Sequence, residues 1–158
     1  MERKYCGKAV VARADLLVRR CDTGFEDGNY GPVGGHLDGG ESIRQAAIRE
    51  CREEIGVEID PGGLEIIGVT HYCSPEGEGV DFFLSATRWA GEPYPRSECD
   101  DLQWCSLDVL PENTIPFVRR AIGRHLQAGI WFDEVYLDVD WPPAHPLEKG
   151  DCDADCDR

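Results

Sequence analysis

Glu50, Glu53 and Glu54 crowd together in the stretch GGHLDGGESIRQAAIRECREEIGV, residues 34–57. On a helix, residues three and four apart are neighbours, and like charges there repel by about a few tenths of a kcal/mol per pair. Such crowding is relieved when a cation sits among the acids. Carboxylates joined by a backbone carbonyl form a hard oxygen donor set. That set suits Mg²⁺, which keeps several waters and binds through a few carboxylates together with substrate phosphates. Mn²⁺ is a plausible substitute. The bland alternative is a solvated acidic face, balanced by Arg44, Arg49 and Arg52.

The element that must carry these acids is a helix. Ser42 followed by Gln45 reads as a capping box and starts it; Gly56 stops it as a left-handed residue. At about 100° per residue, Ala47, Ile48, Cys51 and Ile55 form one apolar stripe facing the core. Gln45 and Arg52 face solvent, and Glu50, Glu53 and Glu54 share a third face. Ala46 and Ala47, one turn earlier, are expected to leave room for a ligand there. Gly34 and Gly35 precede the helix and can bring bare backbone to the same place.

Around this helix the chain reads as mixed strand and helix. Residues 8–13 and 15–20 are expected as two short strands around a tight turn. Residues 64–72 and 80–89 form β-rich runs joined by the loop SPEGEG. Residues 102–106 and 135–141 suggest further strands. A second helix is expected over 116–128, with Pro116 in its first turn and Gly129 after its end. The fold class is α+β, with helices packed on a mixed sheet. Residues 1–141 are expected to form one domain, and 142–158 a Pro-rich, then acidic, disordered tail.

The chain has 158 residues and a formal net charge of −15. That balance argues against a nucleic acid polymer, which needs a basic footprint, and against an anionic membrane surface. A small phosphorylated molecule is compatible if a bound cation reverses the local sign. No apolar run approaches the roughly 20 residues that span a bilayer, and the start leads into no signal-peptide core. The expected location is cytoplasmic. Eight cysteines, none in a C-x-x-C pair, read as reduced thiols in mostly buried positions.

Gly35, Glu41 and the run Arg49-Glu50-Cys51-Arg52-Glu53-Glu54-Ile55-Gly56-Val57 resemble the Nudix box, G-x5-E-x7-R-E-U-x-E-E-x-G-U, where U is a large aliphatic residue. All its fixed letters match; Cys51 replaces the first aliphatic residue, a packing change on the core stripe. YGPVGGH at 30–36 is similar to the family's usual lead-in, and residues 97–116 to the strand, loop and helix of its nucleotide-cleaving members. The resemblance implies a Nudix fold, an α/β/α sandwich around a mixed sheet.

Carried over by position, the resemblance implies that Arg49, Glu50, Glu53 and Glu54 form the catalytic set. The Gly35 carbonyl, Glu50, Glu53 and Glu54 would be the metal ligands. Arg49 would orient a catalytic glutamate through a charge-assisted hydrogen bond, and Glu41 would support the loop or reach metal through water. Glu98 sits where some relatives supply a further acid, with Asp100 as its rival. Gly34, Gly35, His36 and Glu41 are the implied substrate-side residues, His36 reading first as structural. The general base is left open among Glu50, Glu53 and a distant acid.

The implied reaction is Mg²⁺-dependent hydrolysis of a nucleoside triphosphate, including oxidised-guanine nucleotides, to monophosphate and pyrophosphate. ADP-ribose, a nucleotide sugar or a dinucleotide is the alternative substrate, and a silent nucleotide sensor the alternative class. Tyr30, Phe82, Phe83, Trp89 and Trp104 could frame a base pocket but read first as core. Trp131, Phe132 and Tyr136 could close that pocket or pack a homodimer partner.

Overall fold

The computed structural model describes residues 6–11, 16–75 and 77–138. Its strands are β1 (Cys6–Val11), β2 (Leu16–Arg20), β3 (Tyr30–Gly31), β4 (Val33–His36), β5 (Glu58–Ile59), β6 (Leu64–Ser74), β7 (Gly77–Ala86), β8 (Trp89–Ala90), β9 (Cys99–Trp104) and β10 (Phe132–Tyr136). The helices are α1 (Ile43–Ile55) and α2 (Pro116–Ala121), the latter continuing as a π-helical segment over Ile122–Gln127.

The central sheet is mixed and runs in the order β10-β6-β7-β1-β4. β1 lies parallel to β7 and antiparallel to β4. A second sheet, β3-β2-β9, is antiparallel, and β5 pairs with β8. Strand alternation sends neighbouring side chains to opposite faces. Phe82 and Leu84 therefore pack with α1, while Phe83 packs with Ala121 of α2. Leu16 and Val18 of β2 join the α1 side, and Leu17 joins Val118 and Ile122 on the other. The α+β class and the layered arrangement match the expectation.

Several local readings are corrected. The strands at 8–13 and 15–20 do not pair with each other: β1 enters the central sheet and β2 the second; the turn between them lies outside the described residues. The loop SPEGEG keeps its turn but is shorter than read. Cross-strand pairing carries the hairpin to Ser74↔Gly77, with Cys73↔Glu78 and Tyr72↔Gly79 inside the ladder, because pairing with the adjacent strand outweighs the weak strand propensity of glycine. The last strand begins at Phe132 and ends at Tyr136, earlier than read from the alternation at 135–141. The domain limit at 141 and the tail 142–158 lie outside the described residues.

Cys21, Cys51, Cys73, Cys99 and Cys105 carry free thiols. Among the described residues no helix is long and apolar enough to cross a membrane.

Candidate active site

α1 forms where its caps dictate. Ser42 Oγ accepts from the Gln45 backbone N–H at 3.3 Å, and the Gln45 side chain accepts from Ser42 N–H at 2.8 Å. Gly56 closes the helix at φ 71°. The core stripe includes Ala47, Cys51 and Ile55, with Ile48 partly buried beside it. Ala46 and Ala47 depart from the expected ligand space: both are fully buried in this core.

Glu50, Glu53 and Glu54 face β4 across a cleft of about 290 Å³, lined by Gly34, Gly35, His36, Asp38, Arg49, Glu50, Glu53, Glu54, Ser97 and Glu98. β4 can lie this close because Gly35 has no side chain. A Cβ there would collide with the Glu50 carboxylate. Glu98 enters from the loop before β9 and lines the cleft, whereas Asp100 is held away by Arg19, 2.7 Å from its Nε.

One cation organises the acids. Arg49 Nε and Nη2 reach the two oxygens of Glu41 at 3.1 and 2.6 Å. Its Nη1 donates to Glu50 at 2.7 Å and Glu53 at 3.3 Å, and Nη2 also donates to the His36 carbonyl at 3.0 Å. Glu41 additionally accepts from the Asp38 backbone N–H at 2.7 Å. Glu41 thus stands behind Arg49 rather than in the cleft wall. The other two arginines do not balance this face: Arg44 donates to the Leu64 carbonyl, and Arg52 pairs with Glu58.

The electrostatics divide the acids. Hydrogen bonding from Arg49 holds the Glu41 carboxyl below the usual range. Burial pushes Glu50 up, against the pull of Arg49. Burial, reinforced by Glu50, pushes Glu54 up to about 8, against Arg20 and the Gly34 backbone N–H. Glu53 is the open member, its side chain 53% exposed.

The donor chemistry fits a hard cation: carboxylates from Glu50, Glu53, Glu54 and Glu98 line the cleft, with the Gly35 backbone alongside, and a buried Glu54 whose ionisation is costly without a counterion. No three His, Cys, Asp or Glu side chains among the described residues already converge at ligand distances. Arg49 bridges Glu50 and Glu53 instead. Mg²⁺ retains much of its water shell, so a closed protein cage is not required.

The aromatic residues mostly serve the core. Tyr30 is buried, with its hydroxyl on Asp101, and Phe83 is buried beside His125. Trp89 and Trp104 line a small apolar crevice with Cys51 and Ile55, on the core side of α1. Trp131 and Phe132 are exposed at or beside β10, the sheet edge opposite β4, so they do not close the cleft. Sequence reasoning missed Ser97 and Asp38 in the cleft wall and Arg20 near Glu54. Arg20 carried no local signal; Asp38, between glycines in the lead-in to α1, was the findable one.

Residues 8–126 match the family model of the NUDIX domain. Among curated proteins, the chain is 37% identical over 118 residues to the NAD-capped RNA hydrolase NudC of Pseudomonas aeruginosa, covering 74% of this chain and 40% of that protein. It is 34% identical over 106 residues to the oxidized purine nucleoside triphosphate hydrolase of Danio rerio, covering 65% of each. The chain therefore spans about 40% of the length of the NudC relatives. The MutT NUDIX hydrolase of Burkholderia pseudomallei superposes with a TM-score of 0.65 at 25% identity, over 77% of this chain and 97% of that one. A complete box on a capped helix, a glycine-backed acidic cleft and a family match spanning the described core agree: the chain belongs to the Nudix hydrolase family.

Proposed function

We propose that the cleft hydrolyses the pyrophosphate bond of a nucleoside diphosphate linked to a second group. The observation that carries this is the convergence of Glu50, Glu53, Glu54 and Glu98 on one cleft against the side-chain-free backbone of Gly35. Those carboxylates and the Gly35 carbonyl would hold Mg²⁺, with Mn²⁺ as substitute. Bound there, the ion supplies positive charge that offsets phosphate repulsion and acidifies water.

The chain's own residues supply the rest. Arg49, fixed on Glu41 and the His36 carbonyl, holds Glu50 in place. Glu53, open to solvent and met by the longest of the Arg49 hydrogen bonds, takes the proton from the attacking water. The water oxygen forms a new P–O bond, the bridging P–O bond breaks in line with it, and the leaving phosphate carries off the electron pair. Gly34, Gly35 and His36 border the phosphates.

For the second group, a dinucleotide of the NAD type is favoured by the 37% identity to relatives named for NAD-capped RNA hydrolysis. A nucleoside triphosphate is the second reading, favoured by the Danio rerio relative, matched over equal shares of both chains. The net charge of −15 argues for free nucleotides over the RNA-linked form.

The test is a panel of NAD, NAD-capped RNA, ADP-ribose and triphosphates, incubated with Mg²⁺ and resolved by product. AMP with nicotinamide mononucleotide supports the dinucleotide reading; monophosphate with pyrophosphate supports the second. Nucleotide binding without turnover leaves only a silent sensor. Glu53→Gln is the control: it should cost at least about 10²-fold in kcat, and unchanged turnover would overturn the assignment.

A further inference from the structure

The last carbonyls of a helix lack intrahelical partners, and in α1 those of Arg52, Glu54 and Ile55 are met by one segment, residues 94–99. Tyr94 N–H donates to the Ile55 carbonyl at 3.1 Å and Arg96 N–H to the Glu54 carbonyl at 2.8 Å. Arg96 Nη1 donates to the Arg52 carbonyl at 3.1 Å, and Cys99 Sγ lies 3.1 Å from the Glu54 carbonyl. A guanidinium also suits the negative end of the helix dipole. Gly56 makes the docking possible: a Cβ there would strike the Tyr94 ring and lie 3.2 Å from Arg96 Cδ. Arg96 in turn sits 5.7 Å from the Tyr94 ring centroid.

Two residues beyond Arg96 the chain reaches Glu98. Ser97 between them is left-handed, at φ 43°, a conformation that a non-glycine residue holds only when its surroundings impose it. The bend is sealed by Cys99 N–H on the Arg96 carbonyl at 3.0 Å, and the Glu98 carbonyl is held by Cys21 N–H at 2.9 Å. Both Ser97 and Glu98 border the cleft.

We infer that residues 94–99 form a strap in which Arg96, pinned to the end of α1, is a positioning residue that fixes Glu98 relative to Glu54. This rests on the proposed metal-dependent hydrolysis. The strap couples the one cleft carboxylate from outside the box to the helix that carries the others, so the spacing of the donor set survives although Glu98 stands on an exposed loop.

The test is a Mn²⁺ titration of the full chain, followed by the electron paramagnetic resonance signal of free Mn²⁺, with turnover measured in parallel. Arg96→Ala should weaken Mn²⁺ binding about tenfold and lower kcat with little change in nucleotide KM, as expected when a group supporting a ligand is lost. Arg96→Lys, retaining a cation near the Arg52 carbonyl, should recover part of the loss and serves if the alanine variant folds poorly. The double variant Arg96→Ala/Glu98→Gln should bind Mn²⁺ no more weakly than Glu98→Gln alone, because both changes act on one ligand. Losses that multiply, or wild-type affinity in Arg96→Ala, overturn the strap while leaving the hydrolase reading intact. A wild-type protein that binds no Mn²⁺ and turns over no nucleotide overturns both.

Discussion

Arg49 lies across Glu41 as a fork, Nε 3.1 Å from one carboxylate oxygen and Nη2 2.6 Å from the other. This leaves Nη1 aimed at Glu50, 2.7 Å away. The pair converts a long mobile side chain into a fixed one. A lysine has a single compact charge and cannot span both oxygens and still reach Glu50. Arg49→Lys should therefore lower kcat by about 10- to 100-fold, with near-unchanged circular dichroism. Near-wild-type turnover would show that Glu50 needs no such support.

Gly35 gives a second outcome. A side chain at this position meets the Glu50 carboxylate directly, so Gly35→Ala must displace either β4 or Glu50. Overpacking of this kind costs about 1–3 kcal/mol, and displacement of Glu50 should remove at least about tenfold in turnover, or 1.4 kcal/mol of barrier. Thermal unfolding and steady-state kinetics on the same preparation check both. An alanine variant that keeps both full activity and wild-type Tm would show that neither β4 nor Glu50 has to hold this position.

α1 was legible in the sequence because its signals are local. Ser42, Gln45 and Gly56 act within the helix, and the acids they orient are one turn apart. The outer wall of the cleft is different. Glu98 was implied only by the family resemblance, with Asp100 as its rival, and what brings it beside Glu54 is pairing between distant segments, Arg20 with Cys99 and Cys21 with Glu98. Arg96 and Ser97 left no sequence trace, since a lone arginine or serine before a strand has many uses. The partner of β1 was equally hidden. Nothing near residues 6–11 announces that they take Gly34 and Gly35 as neighbours.

A control prediction lies at the other sheet edge. Asp133, its side chain 4% exposed, accepts from Arg120 at 3.0 and 3.1 Å and pairs with Arg124 at 3.2 Å. Asp133→Asn removes the charge that both guanidiniums share. Because each arginine is nearly half exposed, water offsets part of the loss, and the cost should be about 1–3 kcal/mol. Turnover per folded molecule should not change, since β10 and β4 occupy opposite edges of the sheet. A selective loss of kcat without a fall in Tm would contradict this.

Glu54 sets the pH dependence of the metal-free protein. Burial and the neighbouring Glu50 raise its carboxyl from 4.5 to about 8, so the folded state keeps a proton that the unfolded chain has released over that window. The native state then binds more protons than the unfolded one, and stability falls as pH rises, by at most about 1.4 kcal/mol per pH unit. Burial of Glu50 acts in the same direction. In EDTA, Tm should therefore fall between about pH 6 and pH 8, and Glu54→Gln should flatten that slope. A divalent ion binds the deprotonated carboxylate, so added Mg²⁺ should raise Tm more at the alkaline end, where no proton need be displaced. Differential scanning fluorimetry across the pH series decides it. A flat or rising Tm in EDTA would mean that Glu54 is already ionised without metal, and that its charge is balanced within the protein rather than by an ion.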